Sequence, residues 1–161
     1  MTDMTANTRT ESTGLAIPSL APVYAATGEI AEAGLRIAAG LFLIPHGAQK
    51  LFGWFGGYGL EATGLFFSTE LGFAYGFLAA LGAGLVEVFG GLALALGFGT
   101  RIAAAAIVAL LAVAASVHVG AGFFWTSGGW EYPVLWAAVA ALFVAKGGGR
   151  FSVDHLIGRA V

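Results

Sequence analysis

The chain of 161 residues contains no cysteine. Disulfides, thiolate metal sites and thiol redox chemistry carried by this chain are therefore excluded. Charged residues are also scarce, at 10% of the chain, against roughly 25% in ordinary soluble domains. Seven Lys and Arg residues are outnumbered by nine Asp and Glu residues. Because no basic surplus is available to contact phosphates, nucleic acid is not an expected partner.

Apolar residues and glycine make up most of the sequence. Hydrophobic residues account for 58% of the chain, and glycine contributes a further 26 residues. This leaves too little polar surface to cover a domain of this size in water. Most of the chain is therefore expected to lie in lipid.

The apolar residues fall into four runs, each close to the ~20 residues that a helix needs to cross a bilayer. These runs are rich in alanine and do not alternate with polar residues, which favours helices over the strands of a membrane β-barrel. We predict an all-α membrane protein, a four-helix antiparallel transmembrane bundle within residues 29–149. The predicted spans are 33–52, 71–98, 102–119 and 130–146.

Four crossings place both termini on the same side of the membrane. Of the seven Lys and Arg residues, only Lys50 falls on the opposite side, and such a bias marks the cytoplasmic face. We therefore predict cytoplasmic termini, with residues 1–28 as a disordered lead and residues 150–161 as a short tail. The glycine- and aromatic-rich segment 53–70 is expected to lie in the headgroup layer as an outer loop. The residues expected to set topology or contact cytoplasmic partners are Arg36, Arg101, Arg150 and Arg159, and Arg9 and Lys146 add to the bias.

Glu87 is the one charged residue inside the second predicted span. A charge at mid-bilayer costs about 2.5–3.5 kcal/mol on insertion scales, so it needs a partner or a function. Its neighbours at helical spacing are the small residues Ala83, Gly84, Gly90 and Gly91. Small residues let helices approach closely, so we predict that Glu87 points into the bundle. The same span repeats small residues every seven positions, at Gly76, Ala83, Gly90 and Gly97.

Other polar groups are predicted at a similar depth. Counting ~1.5 Å per residue from the cytoplasmic ends of the spans places all of them about 16–25 Å deep, in the outer half of the membrane. Those on the first span share a face, because they are three or four residues apart. We expect a polar pocket that opens outward, with Glu87 and His46 as catalytic candidates. The candidates for binding a substrate or quinone are Gln49, Lys50, His118 and Glu131.

Each of these residues also has a structural interpretation. Glu87 could join helices by pairing with Lys50 or a histidine, His46 and Lys50 could be interfacial anchors, and Glu131 could start a helix. Two histidines and two carboxylates could hold a metal, or the histidines a haem. However, no ExxH or HxxxH pair is present, so we predict no metal site.

The polar positions lie in or beside four distinctive segments. These are RIAAGLFLIPHGAQKLFG from Arg36, GLVEVFGGLALALGFGTRIAA from Gly84, GWEYP from Gly129 and KGGGRFSVDHLIG from Lys146, with His118 between the second and the third. In this order they resemble the DoxX family of small bacterial membrane proteins. The resemblance spans about residues 33–158.

The resemblance implies a four-helix integral protein of the bacterial plasma membrane. The family is associated by name with the small subunit of a thiosulfate–quinone oxidoreductase and with oxidative-stress complexes. Its recurrent polar positions correspond here to Arg36, His46, Lys50, Glu87, Arg101, His118 and Glu131.

The leading functional hypothesis is a subunit or partner of a quinone-linked membrane oxidoreductase, because a quinone ring needs hydrogen-bond donors and a proton source beside lipid. Without cysteine or a cofactor motif, the chain is not expected to catalyse a redox reaction alone. One alternative is a non-catalytic scaffold that recruits soluble redox enzymes through Arg101, Arg150 and Arg159. Another is a conduit for protons or a small solute. Lipid, quinone and redox subunits are the expected partners, and the glycine faces could also join copies of the chain.

Overall fold

The computed structural model describes residues 14–158, and this part of the chain is helical with no β-strand. The predicted all-α class is therefore confirmed for these residues. The helices are α1 (Ala21–Phe52), α2 (Gly59–Thr69), α3 (Gly76–Leu96), α4 (Thr100–His118), α5 (Glu131–Lys146) and α6 (Val153–Leu156). Short 3-10 turns lie at Pro18–Leu20, Trp54–Gly56, Val119–Ala121 and Trp125–Ser127.

Within residues 14–158, two helices are long and apolar enough to cross a bilayer. They are Gly76–Leu96, with a mean hydropathy of 2.0, and Thr100–Ala121, with a mean hydropathy of 2.4. Helix α1 is longer but carries Arg36, His46 and Lys50 among its apolar residues, and α5 is shorter, at 16 residues.

The N-terminal part of α1 differs from the prediction. The helix begins at Ala21, so the disordered lead predicted for residues 1–28 is wrong for its last part, whereas residues 1–13 lie outside the described residues. Pro22 suits the first helical turn, where its missing N–H leaves no bond unmade. Residues 22–31 are exposed on every side. Because these turns bury no apolar face, the sequence contains no hydrophobic pattern that reveals them.

The segment 53–70, predicted as a loop, is helical over most of its length. Most of it forms α2, which packs on the start of α3 through glycine. A Cβ atom on Gly64 would lie 2.8 Å from the Cα atom of Phe77, and one on Gly76 would lie 2.3 Å from the carbonyl oxygen of Gly64. The two helices can approach this closely only because neither glycine has a side chain.

The remaining helices pack side by side around one apolar core. Helix α1 packs along α3, α3 contacts α4, α4 packs along α5, and α5 returns to contact α1. The core contains Leu43 from α1, Leu94 from α3, Ile107 from α4 and Phe143 from α5. This arrangement buries one face of each long helix.

Helices α1 and α3 run antiparallel and approach most closely at two glycine pairs. A Cβ atom on Gly40 would lie 2.3 Å from the carbonyl oxygen of Gly91, and one on Gly47 would lie 2.8 Å from that of Gly84. The predicted seven-residue repeat does not face a single partner. Gly76 contacts α2, Gly90 faces Ile107 of α4, and Gly97 lies against Arg36 and Ser152. The glycines of α3 therefore serve several neighbours.

Candidate functional site

An ion pair joins α1 to α3 in the interior of the bundle. The Nζ atom of Lys50 donates to both carboxylate oxygens of Glu87 at 2.8 Å, and to the carbonyl oxygen of His46 at 3.3 Å. The side chain of Glu87 is 10% exposed and that of Lys50 is 23% exposed. Glu87 thus turns away from the outer surface of the bundle, as its small neighbours predict, and Lys50 is its partner.

The local backbone around Glu87 is unusual. Residues Val86–Gly90 form a π-helical turn between two α-helical parts of α3. Such turns contain wider hydrogen-bonded loops than an α-helix, and they occur frequently at functional sites. On the facing helix, Gly47 lets α1 approach the Cβ atom of Glu87 closely. The ion pair therefore lies where two backbones are in near contact and one of them is wound irregularly.

His46 and Gln49 lie beside Lys50 near the C-terminal end of α1, but neither forms a hydrogen bond with Glu87. His46 is exposed on the helix surface. The Nε2 atom of Gln49 donates to the carbonyl oxygen of Phe55 at 3.3 Å, and Phe55 has a left-handed backbone with φ of 53°. Gln49 therefore holds the loop that follows α1, whereas the imidazole of His46 remains accessible from outside.

His118 and Glu131 are not joined to the ion pair. His118 is exposed, and its Nδ1 atom lies 2.7 Å from the carbonyl oxygen of Gly128. The Oε2 atom of Glu131 is buried and has no hydrogen-bond partner among the described residues. Across residues 14–158, no three His, Asp or Glu side chains lie close enough together to hold a metal ion. Of the polar residues predicted to form one cluster, the structure therefore joins only Lys50 and Glu87 by hydrogen bonds between side chains within residues 14–158.

A second polar centre lies at the opposite end of α1, around Arg36. This residue is 1% exposed. Its Nη1 atom donates to the carbonyl oxygens of Leu94 at 2.7 Å and Ala95 at 2.6 Å, and its Nη2 atom donates to that of Phe151 at 2.6 Å. Arg36 thus ties the end of α3 and the C-terminal tail to α1. It is closed off from any partner, contrary to its predicted role as a contact residue.

Asp154 completes this centre, and sequence reasoning missed it. Its carboxylate accepts hydrogen bonds from the backbone N–H groups of Gly99 (2.7 Å) and Thr100 (2.9 Å) and from the Thr100 hydroxyl (2.6 Å). It therefore caps the N-terminus of α4, where unpaired N–H groups favour an anion. Burial raises the pKa of Asp154, but these hydrogen bonds and the charge of Arg36 outweigh that effect and hold its pKa below the ordinary value. The motif KGGGRFSVD, which ends at Asp154, was the available signal.

The other predicted basic contacts have different surroundings. The Nη1 atom of Arg101 donates to the carbonyl oxygens of Val144 and Ala145, both at 2.6 Å, and so caps the C-terminal end of α5. The side chain of Arg150 is 69% exposed, and its Nη1 atom lies 3.6 Å from a carboxylate oxygen of Glu29. Arg9 and Arg159 lie outside the described residues. Of the four predicted contacts, Arg150 is thus the one that the structure shows on the surface.

Two surface cavities lie at the tail end of the bundle. One, of about 220 Å³, lies between α1 and the glycine loop after α5, and the other, of about 380 Å³, lies between that loop and α6. Neither is lined by Lys50 or Glu87. The predicted pocket beside the ion pair is therefore not one of these two cavities.

Comparison with known proteins identifies the family. The model of the DoxX family matches residues 31–121, which is more than half of the chain and includes both Lys50 and Glu87. Glu131 and the tail that carries Asp154 lie beyond the matched residues. No curated protein and no solved structure matches the chain. The chain belongs to the DoxX family of membrane proteins.

Proposed function

We propose that this protein is an integral membrane subunit of a quinone-linked oxidoreductase system. In this proposal the chain crosses a bacterial plasma membrane four times, and both termini lie on its cytoplasmic side. The arrangement is supported by four long helices that share one core and by the bias of basic residues toward one end. The chain has no cysteine. In this proposal, a quinone and a partner subunit therefore carry the electrons.

The observation that carries this proposal is the Lys50–Glu87 ion pair. A carboxylate and an ammonium held together inside a bundle form a proton-exchanging pair, since transfer of one proton neutralises both groups. Among residues 14–158, Lys50 is the one residue that donates to the oxygens of Glu87, so movement of that side chain changes the charge balance around the carboxylate. Glu87 is the proton carrier in this scheme, and Lys50 is the group with which it exchanges the proton.

The residues fit a quinone head that approaches from lipid. His46 is exposed one helical turn before Lys50, and the Lys50 side chain is 23% exposed. An imidazole and an ammonium on one helix face are suitable donors to a ring carbonyl. The bound quinone would supply the electron-accepting ring, whereas His46 and Lys50 would orient its carbonyl and Glu87 would exchange the proton.

Quinone binding by the purified protein tests this function. A short-tailed ubiquinone analogue is titrated in detergent, and quenching of tryptophan fluorescence reports binding. We expect Glu87→Gln to weaken binding about tenfold or more, since Lys50 then lacks its counter-charge and the proton site is lost. The matched control is Glu61→Gln, which removes an exposed carboxylate of α2 and is expected to leave binding unchanged. Equal affinities of the Glu87→Gln variant and the parent would reject the site.

A recruiting scaffold is the second candidate, and the exposure of Arg150 favours it. In that case, Arg150→Glu would remove a co-purifying soluble partner, whereas Glu87→Gln would retain it. Arg101 no longer supports this function, because its Nη1 atom is bonded to the end of α5. Loss of a soluble partner on Arg150→Glu would therefore support the scaffold, whereas loss of quinone binding on Glu87→Gln would support the oxidoreductase subunit.

A further inference from the structure

The cavity of about 220 Å³ at the tail end contains charges of both signs. Its lining includes two carboxylates from α1, Glu29 and Glu32, and two cations that flank the glycine loop, Lys146 and Arg150. These four groups sum to zero net charge. A ligand that carries one positive and one negative group therefore fits this cavity better than an anion or a cation alone.

The charged groups of the cavity form two ion pairs that are exposed to solvent. Lys146 contacts the carboxylate of Glu32, and Arg150 contacts that of Glu29 at 3.6 Å. The four side chains are between 42% and 69% exposed. Water screens such pairs, so they contribute little to stability. Each side chain can therefore give up its ion-pair partner for a charged group of a ligand with a small loss of free energy.

The position of the cavity points to lipid as the source of that ligand. Lys146 is the last residue of α5, and Glu32 directly precedes the apolar part of α1. In the proposed orientation this is the depth of the cytoplasmic headgroups, where Lys and Arg side chains commonly lie. The lining also includes Ala33, the buried Phe143 and the exposed Phe151, which provide apolar surface beside the charges.

We propose that this cavity binds the headgroup of an aminophospholipid, which contains a phosphodiester and a primary ammonium. The phosphodiester accepts hydrogen bonds from Lys146 and Arg150, and the ammonium donates to Glu29 and Glu32. An anionic headgroup without an ammonium leaves both carboxylates facing a phosphate. A quaternary ammonium has no N–H to donate. The cavity therefore selects the primary amine.

This inference rests on the four-span arrangement but not on quinone binding. The two are measured separately, because Glu29, Glu32, Lys146 and Arg150 lie at the opposite end of α1 from Lys50. A failure of lipid selection leaves the quinone titration unaffected, and the reverse also holds.

Lipid retention by the full chain tests the proposal. The delipidated protein in detergent is mixed with equal amounts of phosphatidylethanolamine, phosphatidylglycerol and phosphatidylcholine that carry identical acyl chains, and native mass spectrometry counts bound lipids. We expect retention of phosphatidylethanolamine to exceed that of the other two about threefold. Equal retention of the three lipids would overturn the proposal.

Charge substitutions sharpen the test because they predict opposite outcomes. The double substitution Glu29→Gln with Glu32→Gln leaves only cations, so the preference should shift to phosphatidylglycerol. The double substitution Lys146→Gln with Arg150→Gln should lower phosphatidylethanolamine to the level of phosphatidylcholine. The matched control, Glu61→Gln with Glu70→Gln, removes two exposed carboxylates elsewhere and should keep the parent preference. A parent-like preference in both test variants would contradict the proposal.

Soluble competitors distinguish a headgroup site from a phosphate site. With the unmodified chain, phosphoethanolamine should displace bound phosphatidylethanolamine at a lower concentration than inorganic phosphate does. If the two competitors act equally, the cavity recognises phosphate alone, and selection of the amine is rejected.

Discussion

Two polar centres tie the same pair of helices together, and they do so by different means. Near the tail, Arg36 of α1 binds the carbonyl oxygens of Leu94 and Ala95 in α3. Four turns further along α1, or about 21 Å, Lys50 binds the carboxylate of Glu87 in α3. The first centre joins a side chain to backbone, whereas the second joins two side chains.

This difference separates a structural role from a functional one. Backbone carbonyls at the end of α3 cannot move without unwinding the helix, so Arg36 has one arrangement. A lysine and a glutamate can each rotate, change protonation or accept another partner. The buried group with fixed partners therefore stabilises the fold, and the pair with movable partners is the candidate for chemistry.

Removal of Arg36 is the strongest test of this comparison. Arg36→Met retains an unbranched apolar stem but leaves three carbonyl oxygens, two of them buried, without their charged donor. We expect a loss of about 3–5 kcal/mol in the free energy of unfolding, measured by SDS titration in mixed micelles. Arg150→Met, at an exposed position, is the control and should change this value by less than about 0.5 kcal/mol. A loss no larger than that of the control would show that the Arg36 centre is dispensable.

Removal of the Asp154 carboxylate should have an intermediate effect on the free energy of unfolding, and this effect should depend on pH. Its pKa is lower in the folded chain than the ordinary value of 3.8. The stabilisation is therefore fully present above about pH 5 and is lost as the pH falls through the folded value. Asp154→Ala should cost about 1–2 kcal/mol at pH 7, because the N-terminus of α4 loses its cap.

Measuring the free energy of unfolding of the parent and of Asp154→Ala from pH 7 to pH 3 tests whether the pKa of Asp154 is lowered by folding. The gap between them should narrow toward the acid end, because the other carboxyl groups are common to both proteins. A gap that widened on acidification would show that the folded pKa is raised instead.

Replacement of both members of the central ion pair should have the smallest effect on stability. The double substitution Lys50→Met with Glu87→Leu exchanges two charges for apolar groups of similar size, which is often neutral for a buried pair. We expect the free energy of unfolding to change by less than about 1 kcal/mol, with loss of quinone binding. A large loss of stability would place Lys50 and Glu87 in the same structural class as Arg36.

The sequence predicts the helices that have a buried apolar stripe. The third and fourth predicted spans match α4 and α5 within two residues because their apolar runs are uninterrupted, and the second contains α3 although Glu87 interrupts it. The burial of Glu87 also follows from its small neighbours. Counting residues along a helix gives the depth of a group but not its direction around the bundle. His118 and Glu131 therefore match Glu87 in estimated depth without contacting it.

The centre around Arg36 could not be predicted in the same way. The partners of this guanidinium are carbonyl oxygens, and every residue has one, so the sequence shows no complementary charge. Asp154 likewise caps a helix that begins far earlier in the chain. Such contacts depend on how the tail folds back, which neither hydropathy nor spacing records.

The π-helical turn at Val86–Gly90 sets the rotational phase between the two halves of α3. Winding these same residues as an ordinary α-helix would rotate everything beyond them relative to the first half of α3. Gly91 would then swing out of its contact with Gly40, and the acceptors of Arg36 would point elsewhere. The π-helical turn thus lets α3 present both Glu87 and the carbonyl acceptors of Arg36 to the same neighbouring helix.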